Sequence, residues 1–119
     1  MSSLTESLES LLTLDGAMMA AVVDSGSGMV LGSIGGGIDP DVAAAGNTEV
    51  VRAKLKTMKA LGLSDSIDDI LITLTSQYHV IRPLAANPET FVYLVLDSNK
   101  ANLALARIKV KDVGNDLAL

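Results

Sequence analysis

Three groups of residues in this chain are of types that could do chemistry: a glycine-rich stretch, a single histidine and a trio of aspartates. The stretch DSGSGMVLGSIGGGIDPD, residues 24 to 41, places six glycines within twelve positions. Glycines ahead of a helix let backbone N–H groups close on a phosphate at the positive end of the helix dipole. The spacing does not meet that requirement. A Walker loop needs Gly-x-x-x-x-Gly-Lys-Ser/Thr, and a dinucleotide fingerprint needs Gly-x-Gly-x-x-Gly opening a helix. Gly26, Gly28 and Gly32 fit neither and fall in an expected hairpin. Gly35, Gly36 and Gly37 do precede a helix, but Asp39 and Asp41 stand at its start and no lysine occurs before Lys54. Two carboxylates at that terminus repel an anion. Turns are the expected role of these glycines, and no nucleotide or other cofactor is expected.

His79 is the only histidine and follows Tyr78 in a strand-like stretch, with Ile81 on its own face. No orienting carboxylate or nucleophile is indicated, so it reads as a packing or surface residue rather than a base. Asp65, Asp68 and Asp69 are spaced like a metal cluster but lack the glycine and late glutamate of a calcium loop. Capping and solvating a strand entry is their expected work. With one His and no Cys, a zinc site has too few ligands. No acid–base or nucleophile pair is visible, so the chain is not expected to be an enzyme.

Composition narrows the partners. The 119 residues are 49% apolar and 19% charged, which suits one ordered domain over residues 1–119. One Phe, two Tyr and no Trp leave an aliphatic core and no platform for stacking bases. A net charge of -5, with pI near 4.6, argues against nucleic acid or an anionic membrane surface. The opening MSSLTESLES carries acids and no Lys or Arg, unlike a signal peptide, and no apolar run approaches the roughly 18 residues that span a bilayer. A cytoplasmic location without membrane insertion is the expectation.

The elements follow from periodicity. SLTESLESLLTLDG reads as a short helix with Ser3 and Glu6 at capping-box spacing, one face of Leu4, Leu8, Leu11 and Leu12, and Gly16 as its stop. AMMAAVVD, residues 17 to 24, is apolar at seven consecutive positions and predicts a strand covered on both faces. SGSG then turns into a weaker strand, MVLGSI. A long middle helix follows, with Asp39 as N-cap, Pro40 at its first position and Gly62 past its end. Its core row is Ala44, Thr48, Val51, Leu55 and Met58, and Gly46 costs it about 1 kcal/mol against Ala. SIDDILITLT, YHVIRPL and TFVYLVLD are three more strands. The first alternates as an edge strand does, the second should end at or just before Pro83, and the third is apolar throughout and central. Asn99 is the expected cap of a closing helix, KANLALARIKVKDV, that is apolar at Leu103, Ala106, Val110 and Val113. A second apolar row holds Leu105 and Ile108, and GNDLAL is read as a fraying tail. Two doubly buried strands require helices on both faces, so the fold class is a three-layer α/β (α+β) sandwich around a mostly antiparallel sheet.

The middle helix is the most informative surface. Glu49, Arg52, Lys56 and Lys59 share one arc, and Ala43, Val50, Thr57 and Leu61 share another with Lys54 beside it. Two readings fit that apolar surplus: a wide core contact, or packing against a second copy of the chain. Arg52, Lys54, Lys56 and Lys59 supply four of nine basic residues within eight positions, a positive patch suited to an acidic protein.

In element order, and in GAMMAAVVDSGSGMVLGS, ILITLTSQYHVIRPL and FVYLVLDSNKANLALAR, residues 4 to 111 resemble the roadblock/dynein light-chain domains. The resemblance implies a five-stranded antiparallel sheet with the long helix on one face and two short helices on the other. It also implies homodimers in which third strands pair edge to edge and long helices pack together, placing Val50, Lys54, Thr57, Leu61, Ile70, Ile72 and Leu74 in the interface. Family members are scaffolds or regulators, and the bacterial ones commonly accompany Ras-like small GTPases. Glu49, Arg52, Lys56 and Lys59 are then the candidate docking face. The alternative is a small-molecule sensor or generic interaction module of profilin-like fold, with His79, Tyr78 or Tyr93 pointing inward.

Overall fold

A strand that is apolar on both faces can only sit between two layers. In the computed structural model, which describes residues 2–118, the elements run α1 (Leu4–Leu12), β1 (Ala17–Asp24), β2 (Met29–Gly35), α2 (Pro40–Ala60), β3 (Ile70–Thr73), β4 (Gln77–Pro83), β5 (Thr90–Asp97) and α3 (Leu103–Asp116). The two all-apolar strands, β1 and β5, pair at the middle of one antiparallel sheet of order β2-β1-β5-β4-β3. On one face, Leu8 and Leu11 of α1 and Ala106, Val110 and Val113 of α3 pack on Ala20, Val22, Val80, Val92 and Leu94. On the other, Ala44 and Val51 of α2 pack on Met19, Ala21, Val23, Ile81, Phe91, Tyr93 and Val95. The expected three-layer sandwich is the fold observed.

Local chemistry starts the helices where the sequence places them. Ser3 Oγ accepts from the Glu6 N–H and Glu6 Oε1 accepts from the Ser3 N–H, both at 3.2 Å. Asp39 Oδ1 accepts from the N–H groups of Asp41 and Val42 at 2.9 and 3.4 Å, with Pro40 next to the cap. Gly62, at φ +71°, follows the last turn of α2 as expected. β4 ends at Pro83, opposite Phe91, also as expected.

Five features differ from the sequence reading. α1 stops at Thr13, three residues before Gly16. Gly16 instead lets two connections touch: at φ +80° its carbonyl accepts from the Asp97 N–H at 2.7 Å, and a Cβ there would lie 2.9 Å from Ala101 N. Leu55 is 46% exposed, as are all of residues 52–57, although Met58, the next residue of the same row, is buried as expected. β3 covers only Ile70–Thr73, since the Leu74 N–H already turns to the Gln77 carbonyl at 2.8 Å. Asn102, not Asn99, caps α3. Asp97 gathers the N–H groups of Asn99, Lys100 and Ala101 into a turn first, leaving Asn102 Oδ1 to accept from Leu105 at 3.1 Å. The tail is held rather than frayed as far as it is described: the Ala118 N–H donates to the Ser2 carbonyl at 2.8 Å, and Ser2 bridges Leu117 in parallel. The second row of α3 is exposed, at 59% for Leu105 and 57% for Ile108.

Two stability predictions follow from these contacts. Gly16→Ala should lower unfolding free energy by about 2 kcal/mol or more, read from urea midpoints, since it combines a left-handed backbone with a backbone clash. Thr48 is buried on the core side of α2, and among the described residues its Oγ1 has no hydrogen-bond partner. Thr48→Val keeps the shape and removes an unpaired hydroxyl, so stability should rise by about 1 kcal/mol in the same assay.

Candidate functional site

The exposed flank of α2 and the start of β3 form an open groove of about 580 Å³, lined by Val50, Ala53, Lys54, Thr57, Asp69 and Ile70. Four of the residues singled out in the sequence, Val50, Lys54, Thr57 and Ile70, therefore converge. Ala53 was not singled out, because alanine carries no signal, and Asp69 was read only as capping a strand entry, because its partner lies on α3. Arg107 of α3 holds the Asp69 carboxylate with two parallel hydrogen bonds of 2.8 Å, which raises the Arg107 pKa. Ile72 packs half-buried against the α2-side core, while Leu61 and Leu74 are exposed outside the groove.

The two rims of the sheet are unlike. β2 carries a bulge: Val22 pairs with Gly32 and Val23 with Val30, so Leu31 is left over and 46% exposed. A bulge twists an edge and blocks regular pairing. β3 pairs with β4 in unbroken register from Ile70↔Ile81 to Thr73↔Tyr78 and has no strand on its outer side. Only this rim offers a regular row of backbone donors and acceptors.

Glu49, Arg52, Lys56 and Lys59 are all exposed on α2, but they are not equivalent. The Arg52 guanidinium donates to the carbonyls of Ser25 and Gly26 at 2.6 and 2.8 Å, clamping the β1–β2 turn to the helix. Among the described residues, the side chains of Glu49, Lys56 and Lys59 make no hydrogen bond or ion pair.

Under the first half of α2 lies a trough of about 360 Å³ where Asn47 of the helix faces His79 and Tyr93 of the sheet, with Asp39 at its rim. His79 has two partners that the sequence did not indicate. Its Nε2–H donates to Gln77 Oε1 at 2.8 Å, since a carboxamide oxygen only accepts, and Nδ1 then accepts from the Tyr93 hydroxyl at 2.8 Å. The two rings meet edge to face, 5.6 Å apart. Of the residues proposed to point inward, Tyr93 is buried and His79 half-buried on the α2 side, whereas Tyr78 packs on the opposite face. Among the described residues, no group of three His, Cys, Asp or Glu side chains is arranged to hold a metal.

No protein-family model matches the chain, and no curated protein matches it by sequence. Solved structures do. A roadblock/LC7 domain from Streptomyces avermitilis superposes with TM-score 0.82 at 14% identity, over 97% of this chain and 94% of that one. MglB from Myxococcus xanthus does so with TM-score 0.80 at 17% identity, over 95% and 92%. An MglB with a tetrameric arrangement gives TM-score 0.80 at 20% identity, over 94% and 82%. The fold is the roadblock/LC7 fold. In its terms, the groove lies between the long helix and the third strand, and the trough under the helix start. No described helix is long and apolar enough to cross a membrane.

Burial lowers the His79 pKa from its ordinary 6.5, because a charged ring would be poorly solvated beneath α2. The unfolded chain then takes up a proton before the folded one, so this contribution to stability is lost as pH falls below about 6.5. Urea midpoints should drop between about pH 7 and pH 5.5, and His79→Gln should flatten that slope; an unchanged slope would mean other groups carry it.

Proposed function

We propose that this chain is a non-catalytic, homodimeric adaptor of the roadblock type that binds a Ras-like small GTPase in the cytoplasm and modulates or localises it. The observation that carries the reading is the groove between α2 and β3, bordered by the one rim of the sheet whose backbone is regular and unpaired. A second copy fits it about a two-fold axis. β3 extends the sheet across the axis, and Val50, Lys54, Thr57 and Leu61 of α2 meet their counterparts with Ile70, Ile72 and Leu74 alongside. Such an isologous contact removes the exposed edge and covers the surplus apolar flank together. The structural likeness to MglB supports a place in a GTPase pathway, and an MglB arranged as a tetramer supports self-association.

The docking face on the GTPase side is the charged arc of Glu49, Arg52, Lys56 and Lys59. Arg52 is already committed to the β1–β2 turn, so Lys56 and Lys59 are the charges free to meet acidic groups of a partner. In a chain of net charge -5 they mark a local reversal of sign, which gives orientation and speed to docking more than raw affinity.

Light scattering at micromolar concentration should report twice the 12.3 kDa chain mass. Val50→Glu with Thr57→Glu, both at exposed positions, should give the single-chain mass with an unchanged circular dichroism spectrum. Lys56→Glu with Lys59→Glu should leave the dimer intact and lower retention of the source organism's Ras-like GTPases at least about tenfold. A wild-type chain that stays a lone subunit would remove the adaptor reading.

A further inference from the structure

A partly open cleft of about 280 Å³ lies beside the second half of α2, with Leu55, Asp65 and Asp68 exposed along it. It explains Leu55. That residue sits one turn beyond Val51 on the core row, yet no side chain fills the space below it. Val51, Leu55, Ile67 and Leu84 give the cavity an aliphatic wall, and Pro83 and Pro88 stiffen its far side.

The same cavity is lined by Arg82 from the end of β4 and by Asp65 and Asp68 from the loop before β3. Among the described residues none of the three side chains makes a hydrogen bond or ion pair. Opposite charges therefore face one small apolar space without touching. Their positions are fixed from outside the cavity. The loop is pinned on one side by the Leu63 N–H donating to the Met58 carbonyl at 3.0 Å, and on the other by the Asp69–Arg107 pair. Arg82 is held in register opposite Val92.

We propose that this cavity binds a small zwitterion with an aliphatic body, an apolar α-amino acid, with its ammonium between Asp65 and Asp68, its carboxylate on Arg82 and its side chain against Val51, Leu55, Ile67 and Leu84. A purely apolar guest leaves all three charges unpaired. A simple anion meets two carboxylates, and a simple amine meets the guanidinium. A zwitterion satisfies both signs at once, and guanidinium–carboxylate contact is the strong, oriented kind. The volume lies at or below the low end for drug-sized ligands, which suits a molecule the size of leucine. All lining residues come from one copy of the chain, so the inference stands or falls independently of dimerisation and of any GTPase.

The test is an amide NMR titration with L-leucine, 4-methylpentanoate and isoamylamine, which share an aliphatic body and differ in charge. Saturable leucine shifts are expected at Val51, Leu55, residues 65–68 and Leu84, with each single-charge analogue binding at least about tenfold more weakly. Arg82→Gln should weaken leucine at least about tenfold and leave isoamylamine no weaker, while Asp65→Asn with Asp68→Asn should do the same for leucine and spare 4-methylpentanoate. Among the described residues the three side chains have no native polar partners, so the variants should fold. Absence of saturation at millimolar leucine, shifts confined elsewhere, or an analogue binding as well as leucine would each overturn the assignment.

Discussion

Everything in this structure depends on two neighbouring strands that expose nothing. From Met19 to Val23 and from Thr90 to Leu96 every residue is buried, whichever face its side chain points to. With only 119 residues, covering both faces leaves no room for thick layers. Small residues therefore stand wherever a helix crosses the sheet: Ala20, Ala21, Ala44 and Ala106 are all buried. Gly32 is the extreme case, since a Cβ there would come within 2.9 Å of the Leu4 side chain in α1. The close approach of the layers, more than any large side chain, gives this aromatic-poor chain its packing density.

Covering the two faces is unequal work. α1 and α3 share one face, while α2 alone spans the other and is 21 residues long. Its first half packs through Ala44 and Val51 on the core that holds Tyr93 and Val95, while its second half buries only Met58 beyond the Arg52 clamp on the β1–β2 turn. A helix in that position has one buried row and two free flanks. The groove beside β3, the charged arc and the cleft beside Leu55 all lie along the flanks that one buried row leaves free.

What could be read from sequence was what local chemistry decides. The Ser3–Glu6 box, the Asp39–Pro40 start and the doubly apolar strands each depend on a few adjacent residues, and all are present as read. What could not be read depends on where distant segments end up. Whether Leu55 is core depends on what the fold brings beside it, which no helical period records. Asn99 and Asn102 are equally good caps by composition, and Asp97 decides between them by taking the preceding N–H groups for its own turn. The tail looked loose because its partner, Ser2, lies at the other end of the chain. Arg52 looked like a free surface cation because the carbonyls it binds are 26 and 27 residues away. His79 looked solitary because Tyr93 is on another strand. Site residues suffer most from this: Arg82, Asp65 and Asp68 are separately unremarkable, and only the fold brings them around one space.

The sheet's rims carry the last step. Five strands in a single open sheet leave two edges, and each is a risk unless it is blunted or used. β2 is blunted by its bulge at Leu31 and by α1 packed across Gly32. β3 has neither protection. It is short, regular and flanked by half-buried Ile70 and Ile72, so it is neither twisted away nor hidden. An evenly protected pair of edges would suit a chain that works alone. The sheet thus guards one rim with a bulge and a packed helix and leaves the other regular beside an exposed helix flank.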